Sequence, residues 1–435
     1  MQHPASSMAK VWIACIIILA ILPYHLIDKH ITLHGLLILL LFIGSFCIGA
    51  VSIASKITTL HSPSRIDFSA TERMLATAGI ITVVAMIFDI RDKNVFDLSE
   101  AYDLRSDQAS ALLEGGASAS TLGFQIGFLT YPAAYVYLVR AIIFDRQLNI
   151  PRIVAFGVLP ILITTVAMGG RSPLLYAILI SLFSLGSRRL FMRSQYCENL
   201  KHRRPRFLVP LIICAILVGA MYYFIAVFFT RAEGLGGASG MFLVAEQLWG
   251  VGFQGHGADL MRQILGDGVT YIIFVFGWYI VQGLVMASYI FDNYEGPVQF
   301  GVYGIDLISA VVRRVDGLLV ARNFDSLQQL GTYGFFPSAF GSLYVDLWYF
   351  GISACAIWGA LAGLVYQQIK CGRDSRWLLC APFVTSGIVF SFINTPIGFS
   401  NGLVTHMWFI AAFLTARLQS RKPFRRRSES ILAQT

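Results

Sequence analysis

Charge is scarce in this chain. Of 435 residues, 13% are Asp, Glu, Lys or Arg, against about a quarter in an average globular protein. That scarcity excludes an ordinary soluble domain. Seven cysteines are present, Cys15, Cys47, Cys197, Cys214, Cys355, Cys371 and Cys380. They form no CxxC pair, so neither a disulfide framework nor a thiolate metal site is expected. No HExxH, no GxGxxG, no P-loop and no carboxylate pair at a readable spacing occurs, which removes the sequence basis for metal-centred or nucleotide-driven chemistry. No internal repeat and no low-complexity segment is visible.

What the chain has instead is apolar length. Hydrophobic residues make up 56% of it and the mean hydropathy is +0.67. Repeated apolar runs of about 17 or more residues predict a polytopic membrane protein, all-α. The expected spans are Val11–Ile27, Ile31–Ser55, Met74–Ile90, Ser118–Ile143, Ile153–Met168, Pro173–Gly186, Phe207–Phe229, Leu347–Ile369, Trp377–Phe392 and Leu403–Leu418. The first run lacks a small-residue cleavage site, so it reads as a retained helix rather than a signal peptide. Within the long connection, Tyr271–Phe291 is apolar enough to span and Val298–Val312 is shorter, with Asp306 inside. The pair reads as a hairpin, spanning or re-entrant. The total is ~10–12 crossings.

The organisation that follows has seven N-terminal helices over 1–229 and a large loop with a membrane-associated hairpin over 230–336. C-terminal helices over 337–420 and a basic tail over 421–435 complete it. The formal net charge is +9. Nucleic acid is not needed to explain it. Segments Lys56–Arg73, Arg140–Arg152, Ser187–Arg206, Lys370–Arg376 and the tail hold roughly two-thirds of the Lys and Arg, and alternating crossings place them all on one side. The positive-inside rule makes that side the cytoplasm, with both termini in it. The long connection, the Arg91–Gly116 loop and the Gly169–Ser172 turn then share the outer face.

Polar groups that could do chemistry are concentrated there. In Gly169-Gly170-Arg171-Ser172-Pro173, Ser172 suits an N-cap and Pro173 the first helical position. The turn aims free backbone N–H groups and the positive end of a helix outward beside a guanidinium, a site for an anion such as a diphosphate. The plainer alternative is an arginine snorkelling to headgroups. Arg231, Arg262, Arg313, Arg314 and Arg322 stand on the outer side against the positive-inside bias. Together they suit a lipid-linked phosphate; singly, each is accounted for by pairing with Glu233, Asp316 or Asp325. For proton transfer the candidates are His256, set among glycines near Asp259, together with Glu233 and Asp346.

The segment Tyr333–Gly351 carries an aromatic belt at a helix entrance, and Gly359-Ala-Leu-Ala-Gly363 offers a face for close helix packing. Tyr344, Asp346, Gly351, Gly359, Gly363 and Tyr366 in one helix, with the Gly-Gly-Arg-Ser turn at Arg171, resemble the pattern of Wzy-type O-antigen (oligosaccharide repeat-unit) polymerases. The layout of ten or more helices with one large late loop is similar too. The Arg-x10-Gly loop motif of some members is absent, since Phe242 and Phe324 occupy the glycine positions after Arg231 and Arg313. That departure leaves the substrate open.

The resemblance implies a metal-independent glycosyltransferase without cofactor at the periplasmic face of the bacterial inner membrane. It would act in O-antigen, lipopolysaccharide or exopolysaccharide biosynthesis. A growing glycan on undecaprenyl diphosphate would be transferred to a lipid-linked repeat unit. For that reaction the candidates for diphosphate or glycan binding are Arg171, Arg231, Arg313, Arg314 and Arg322, with Tyr344 from the resembling motif, and a chain-length regulator stays open as a partner. An O-antigen ligase shares this substrate and layout. A transporter is the alternative from another class, but the helix centres are almost free of charge, unlike a conduction path. A non-catalytic assembly partner is the third reading.

Overall fold

The computed structural model of the chain describes residues 2–54, 65–91, 121–168, 170, 172–195, 219, 222, 225–226, 228–230, 232–332, 334–372 and 374–419. It is helical almost throughout. Among the described residues, eight helices are long and apolar enough to cross a membrane.

The first of these are α1 (Pro4–Ile21), α2 (Leu33–Ala54) and α3 (Ser69–Ile90). Then α4 (Leu122–Thr130) and α5 (Pro132–Phe144) meet at Tyr131-Pro132 and together make one span, Leu122–Phe144. Pro132 cannot donate a backbone hydrogen bond, which accounts for the junction. The fifth span, α6 (Ile150–Ala167), contains a π turn over Val154–Val158. Next is α7 (Ser172–Gln195), which starts one residue before the position expected from Ser172 and Pro173. The expected seventh span, Phe207–Phe229, lies almost wholly outside the described residues, as do the Arg91–Gly116 loop beyond Arg91 and the basic tail.

Helices α8 (Gly237–Val244) and α9 (His256–Asn293) follow, then α10 (Asp306–Val315), α11 (Gly317–Gln329), α12 (Ser338–Leu347) and α13 (Phe350–Cys371). Last come α14 (Cys380–Val389), flanked by 3-10 turns to make Ser375–Phe392, and α15 (Gly402–Thr415). The expected span Leu347–Ile369 therefore begins at Phe350, and its upstream part is a separate helix. The break is at Trp348, whose φ is +51°.

Two small ribbons mark the ends of the bundle. Strand β1 (Tyr24–Leu26) in the α1–α2 link pairs antiparallel with β3 (Val251–Phe253), and β2 (Arg65–Asp67) pairs antiparallel with β4 (Arg417–Gln419). Helices α2 and α13 run side by side in the same direction. A Cβ at Gly359 would collide with the Phe46 carbonyl, one at Gly363 with that of Ala50, and one at Gly49 with that of Ala356. The Gly359/Gly363 face is thus a packing surface that lets two backbones touch. At the β2 end, Arg140 on α5 joins Glu72 on α3 at 2.8 Å and Asp145 at 3.1 Å, and Arg152 reaches Glu72 at 3.3 Å. Arg188 on α7 donates to the carbonyls of Ile142 and Asp145. Basic residues from three elements, α5, α6 and α7, are thereby tied into one network with Glu72 and Asp145.

The long connection differs from its expected form. Phe274 on α9 accepts a hydrogen bond from the Tyr24 hydroxyl at 2.7 Å. Eighteen residues later, Asp292 contacts His34 at 2.6 Å and Thr32, and Ser288 accepts from the Thr32 N–H at 3.2 Å. Both ends of this stretch touch the one link between α1 and α2, so α9 lies across the β1 end of that pair. It is buried on most sides between Thr270 and Phe291, as suits a helix apolar all round. The second arm of the expected hairpin, Val298–Val312, is not one apolar helix. It consists of a turn with φ +49° at Phe300 and +91° at Gly301, then the strongly amphipathic α10. Its apolar run is broken by Gly301, Gly304 and Asp306, and the turn is held from outside by Asp346.

Candidate functional site

Three separate segments meet at the β1 end. These are the 298–306 turn, the short helix α12 with its two ends, and the loop 394–401 between α14 and α15. Asp346 on α12 is 4% exposed. Its two carboxylate oxygens accept from the backbone N–H groups of Tyr303 at 3.1 Å and Gly304 at 2.9 Å. The Phe300 N–H donates to the Asp346 carbonyl at 2.9 Å. Gly304 in turn packs its carbonyl against Gly398, where any Cβ would collide with it. Phe340, near the start of α12, touches the rings of Trp12, Phe42 and Trp358, near the midpoints of α1, α2 and α13. The short helix is therefore sunk into the bundle.

Among the described residues, positive-φ backbone at non-glycine positions is confined to the same place. It occurs at Phe300, Ser338, Trp348, Ser400 and Asn401. One lies in the turn, two at the ends of α12 and two in the loop. Asn tolerates the left-handed region, whereas Ser and bulky side chains do so at a cost of order 1–3 kcal/mol each. Strain of this kind persists where surrounding structure over-determines a functional geometry.

From the other side, α4 and α5 reach the loop. The Tyr131 hydroxyl donates to the Ser400 carbonyl at 3.1 Å, and the Asn401 amide donates to the Phe128 carbonyl at 2.6 Å. The Tyr135 hydroxyl lies 3.0 Å from the Ser400 hydroxyl and 3.1 Å from the Pro173 carbonyl. Tyr176 on α7 sets its ring edge-on to Tyr135 at 4.9 Å and also contacts Phe399. The beginning of α7, immediately after the Arg171 turn, is thus bonded to the strained loop. Asp306, the exposed first residue of α10, lies two residues from Gly304, which packs on Gly398 of the loop. A helix N-terminus, a set of hydroxyls and, on α10, a carboxylate are thus brought near the loop. The helix N-terminus is the part suited to an oxyanion, since the Tyr131 and Tyr135 hydroxyls lie on the carbonyls of Ser400 and Pro173.

The same loop borders a second feature. An apolar groove of about 510 Å³ runs between α13, α14 and α15, lined by residues including Trp358, Leu361, Phe383 and Phe409 and closed at one end by Thr395, Pro396 and Ile397. His406 lines it too, with its Nδ1 2.8 Å from the Gly402 carbonyl.

The residues singled out from sequence divide as follows. Arg171 and Arg231 lie outside the described residues, although Gly170 is buried and Pro173 is in the cluster. Asp346 is in it as an anchor. Burial pushes its carboxyl up to about 6, with the backbone N–H groups of Tyr303, Gly304 and Gly301 opposing the rise. Tyr344, one of the aromatic belt, packs against Phe291, Trp348 and Tyr349. Arg313 and Arg314 occupy the last turn of α10, which begins at Asp306. Arg322 is exposed on α11; neither it nor Arg314 forms an ion pair among the described residues. Glu233 is exposed on the chain before α8 and His256 is exposed as the first residue of α9, and among the described residues no contact brings them to the loop.

Tyr131, Tyr135, Ser400 and Asn401 were not among the sequence candidates. Their signal is Thr130-Tyr131-Pro132 inside an apolar run, and the Pro- and Gly-containing stretch Asn394–Asn401 between two apolar helices. Comparisons with family models, with curated proteins and with solved structures found no match to this chain.

Proposed function

We propose that the chain is a polysaccharide polymerase, a metal-independent glycosyltransferase of the Wzy type. It transfers a growing glycan from undecaprenyl diphosphate to a lipid-linked repeat unit at the periplasmic face of the bacterial inner membrane. In this reading the undescribed Phe207–Phe229 segment, α7 and α15 complete the ~10–12 crossings, both termini are cytoplasmic, and the β1 end is periplasmic.

One observation carries the reading. The strained 394–401 loop is shared by a polar cluster that includes a helix N-terminus and by an apolar groove of about 510 Å³ between apolar helices. A lipid-linked diphosphate is a ligand with both parts. Its isoprenoid lies in the groove between α13, α14 and α15. Its diphosphate faces the start of α7, where helix-dipole charge and Arg171 offset the charge that develops as the sugar–phosphate bond breaks. The acceptor hydroxyl attacks the anomeric carbon, its proton passes to Asp306, and undecaprenyl diphosphate leaves. Asp346, with both oxygens held by backbone N–H groups, positions the turn that carries Asp306. Arg313 and Arg314, on the same short helix, face headgroups or the second carrier's diphosphate.

The test is deletion of the gene followed by gel analysis of the cell's polysaccharide. A ladder that collapses to a single repeat unit supports polymerisation. Loss of the modified final acceptor, with long lipid-linked chains accumulating, reassigns the chain to glycan ligation. An unchanged profile refutes both.

A further inference from the structure

A second pocket lies away from the strained loop, on the segment before and at the start of α9. It measures about 310 Å³ and is walled by α8, the π turn Ala245–Trp249, β3 and the first turns of α9. The polymerase reading above gives it no role. Its chemistry is mixed in a particular way. The Arg262 guanidinium sits 4.5 Å from the centre of the Phe242 ring, and its Nη2 donates to the Phe253 carbonyl at 3.1 Å. Its Nε is buried and has no hydrogen-bond partner among the described residues. Gln254 donates to Glu246. Asp267 enters from beyond Gly266, whose φ of +77° breaks α9 and turns the next residue into the pocket wall.

Two carboxylates outnumber one guanidinium here, so the pocket as a whole disfavours a phosphate or diphosphate. Donors and acceptors are both present around it, over a floor formed by the buried, mutually packed rings of Phe242 and Phe253. That polar lining suits a saccharide, whose hydroxyls both give and accept hydrogen bonds. The volume is at the low end for ligand pockets, roughly 300–1,000 Å³, and holds a short piece of glycan. The β3–β1 pairing fixes the pocket at the same end of the bundle as the strained loop.

We infer that this pocket is a saccharide subsite. It holds a neutral or amino-bearing sugar of the growing chain away from the point of bond formation, with Arg262, Glu246 and Asp267 as its polar contacts. The inference rests on the polymerase reading. A subsite of this kind retains the chain between additions, so it sets polymer length while leaving the first addition intact.

The experiment expresses the full chain in the deletion strain as wild type, Arg262→Lys and Glu246→Gln, with protein level followed by immunoblot. Lysine keeps the charge over Phe242 but loses the buried Nε donor, and glutamine keeps the shape and an acceptor for Gln254. The expected result is a ladder whose modal length falls by about twofold or more at normal protein level, with single-repeat addition preserved. Wild-type ladders from both variants overturn the subsite and leave the polymerase reading standing. A deletion strain with an unchanged glycan overturns both.

A second measurement needs no turnover and covers the case in which a variant fails to accumulate. The purified wild-type chain is titrated with the repeat-unit oligosaccharide released from the cells' own glycan by mild acid, with binding read by isothermal titration calorimetry. Saturable binding, weakened about tenfold in Glu246→Gln, supports the site. Absence of saturable binding overturns it.

Discussion

Replacing Asp346 with Ala removes the acceptor for two backbone N–H groups in a site where the side chain is 4% exposed. Leaving a buried donor without a partner costs about 1–3 kcal/mol, so the two together cost about 2–6 kcal/mol before any relaxation. Asn at this position keeps one carbonyl acceptor and sets an amide donor against the other N–H; its cost falls between Ala and wild type. Thermal unfolding of the purified protein in detergent is expected to rank wild type above Asp346→Asn above Asp346→Ala. Limited proteolysis of the Ala variant should open the 298–306 turn first.

The carboxyl also has a pH signature. Its folded-state pKa is raised to about 6 from an ordinary 3.8, so the folded chain binds its proton more tightly than the unfolded chain does. The group therefore contributes most to stability below about pH 4, and that contribution is lost as pH rises through about 6. Both variants should lose this part of the dependence of melting temperature on pH. If Asp346→Ala melts and resists protease like wild type while polymer disappears, Asp346 acts on substrate, and the anchoring argument is refuted.

Gly359→Leu forces α13 off the Phe46 backbone, costs about 1–3 kcal/mol from overpacking alone, and should lower the yield of folded protein. Gly44→Ala, where a Cβ meets nothing within 4 Å, should leave the yield unchanged. Arg140→Ala strips the partner from Glu72 and Asp145 in a network where the arginine side chain is 10% exposed. A loss of about 3–5 kcal/mol is expected, read as a large fall in melting temperature, and Arg152→Ala, at 62% exposure, should change it little. Tyr135→Phe deletes the hydroxyl shared by Pro173 and Ser400; polymer on the gel should shorten or vanish, with melting temperature lowered by an amount consistent with about 1–3 kcal/mol.

The class of protein was legible because apolar length is a one-dimensional property. Helices α2, α3 and α13 lie within a few residues of the expected runs, since about 20 apolar residues in a row have one stable form in a bilayer. The close-packing role of Gly359 and Gly363 was legible for a similar reason: small residues four apart share one helix face by the helix's own period. The helix start at Ser172–Pro173 was legible to within one residue, as a local property of those two residues.

The site itself was not legible, and α9 shows why. Its apolar residues meet the requirement of a bilayer and that of a protein interior equally well, and only its contacts with Tyr24 at one end and Thr32 at the other lay it across the bundle. Likewise Asp346 reads in sequence as an ionisable group at a helix mouth, available as a base. The fold sets it under the Tyr303–Gly304 turn, 42 residues away at its nearest hydrogen-bond partner, where both oxygens are taken. Ser400 joins Tyr135 across 265 residues, a distance over which no periodicity carries information. Sequence alone determined that this chain forms helices long and apolar enough to cross a membrane and where most of them begin and end, because burial of apolar surface and backbone hydrogen bonding act locally along the chain. Which polar groups meet, and which are occupied by the backbone, was decided by long-range packing, because a hydrogen bond depends on where two atoms end up and not on how far apart they are in the chain.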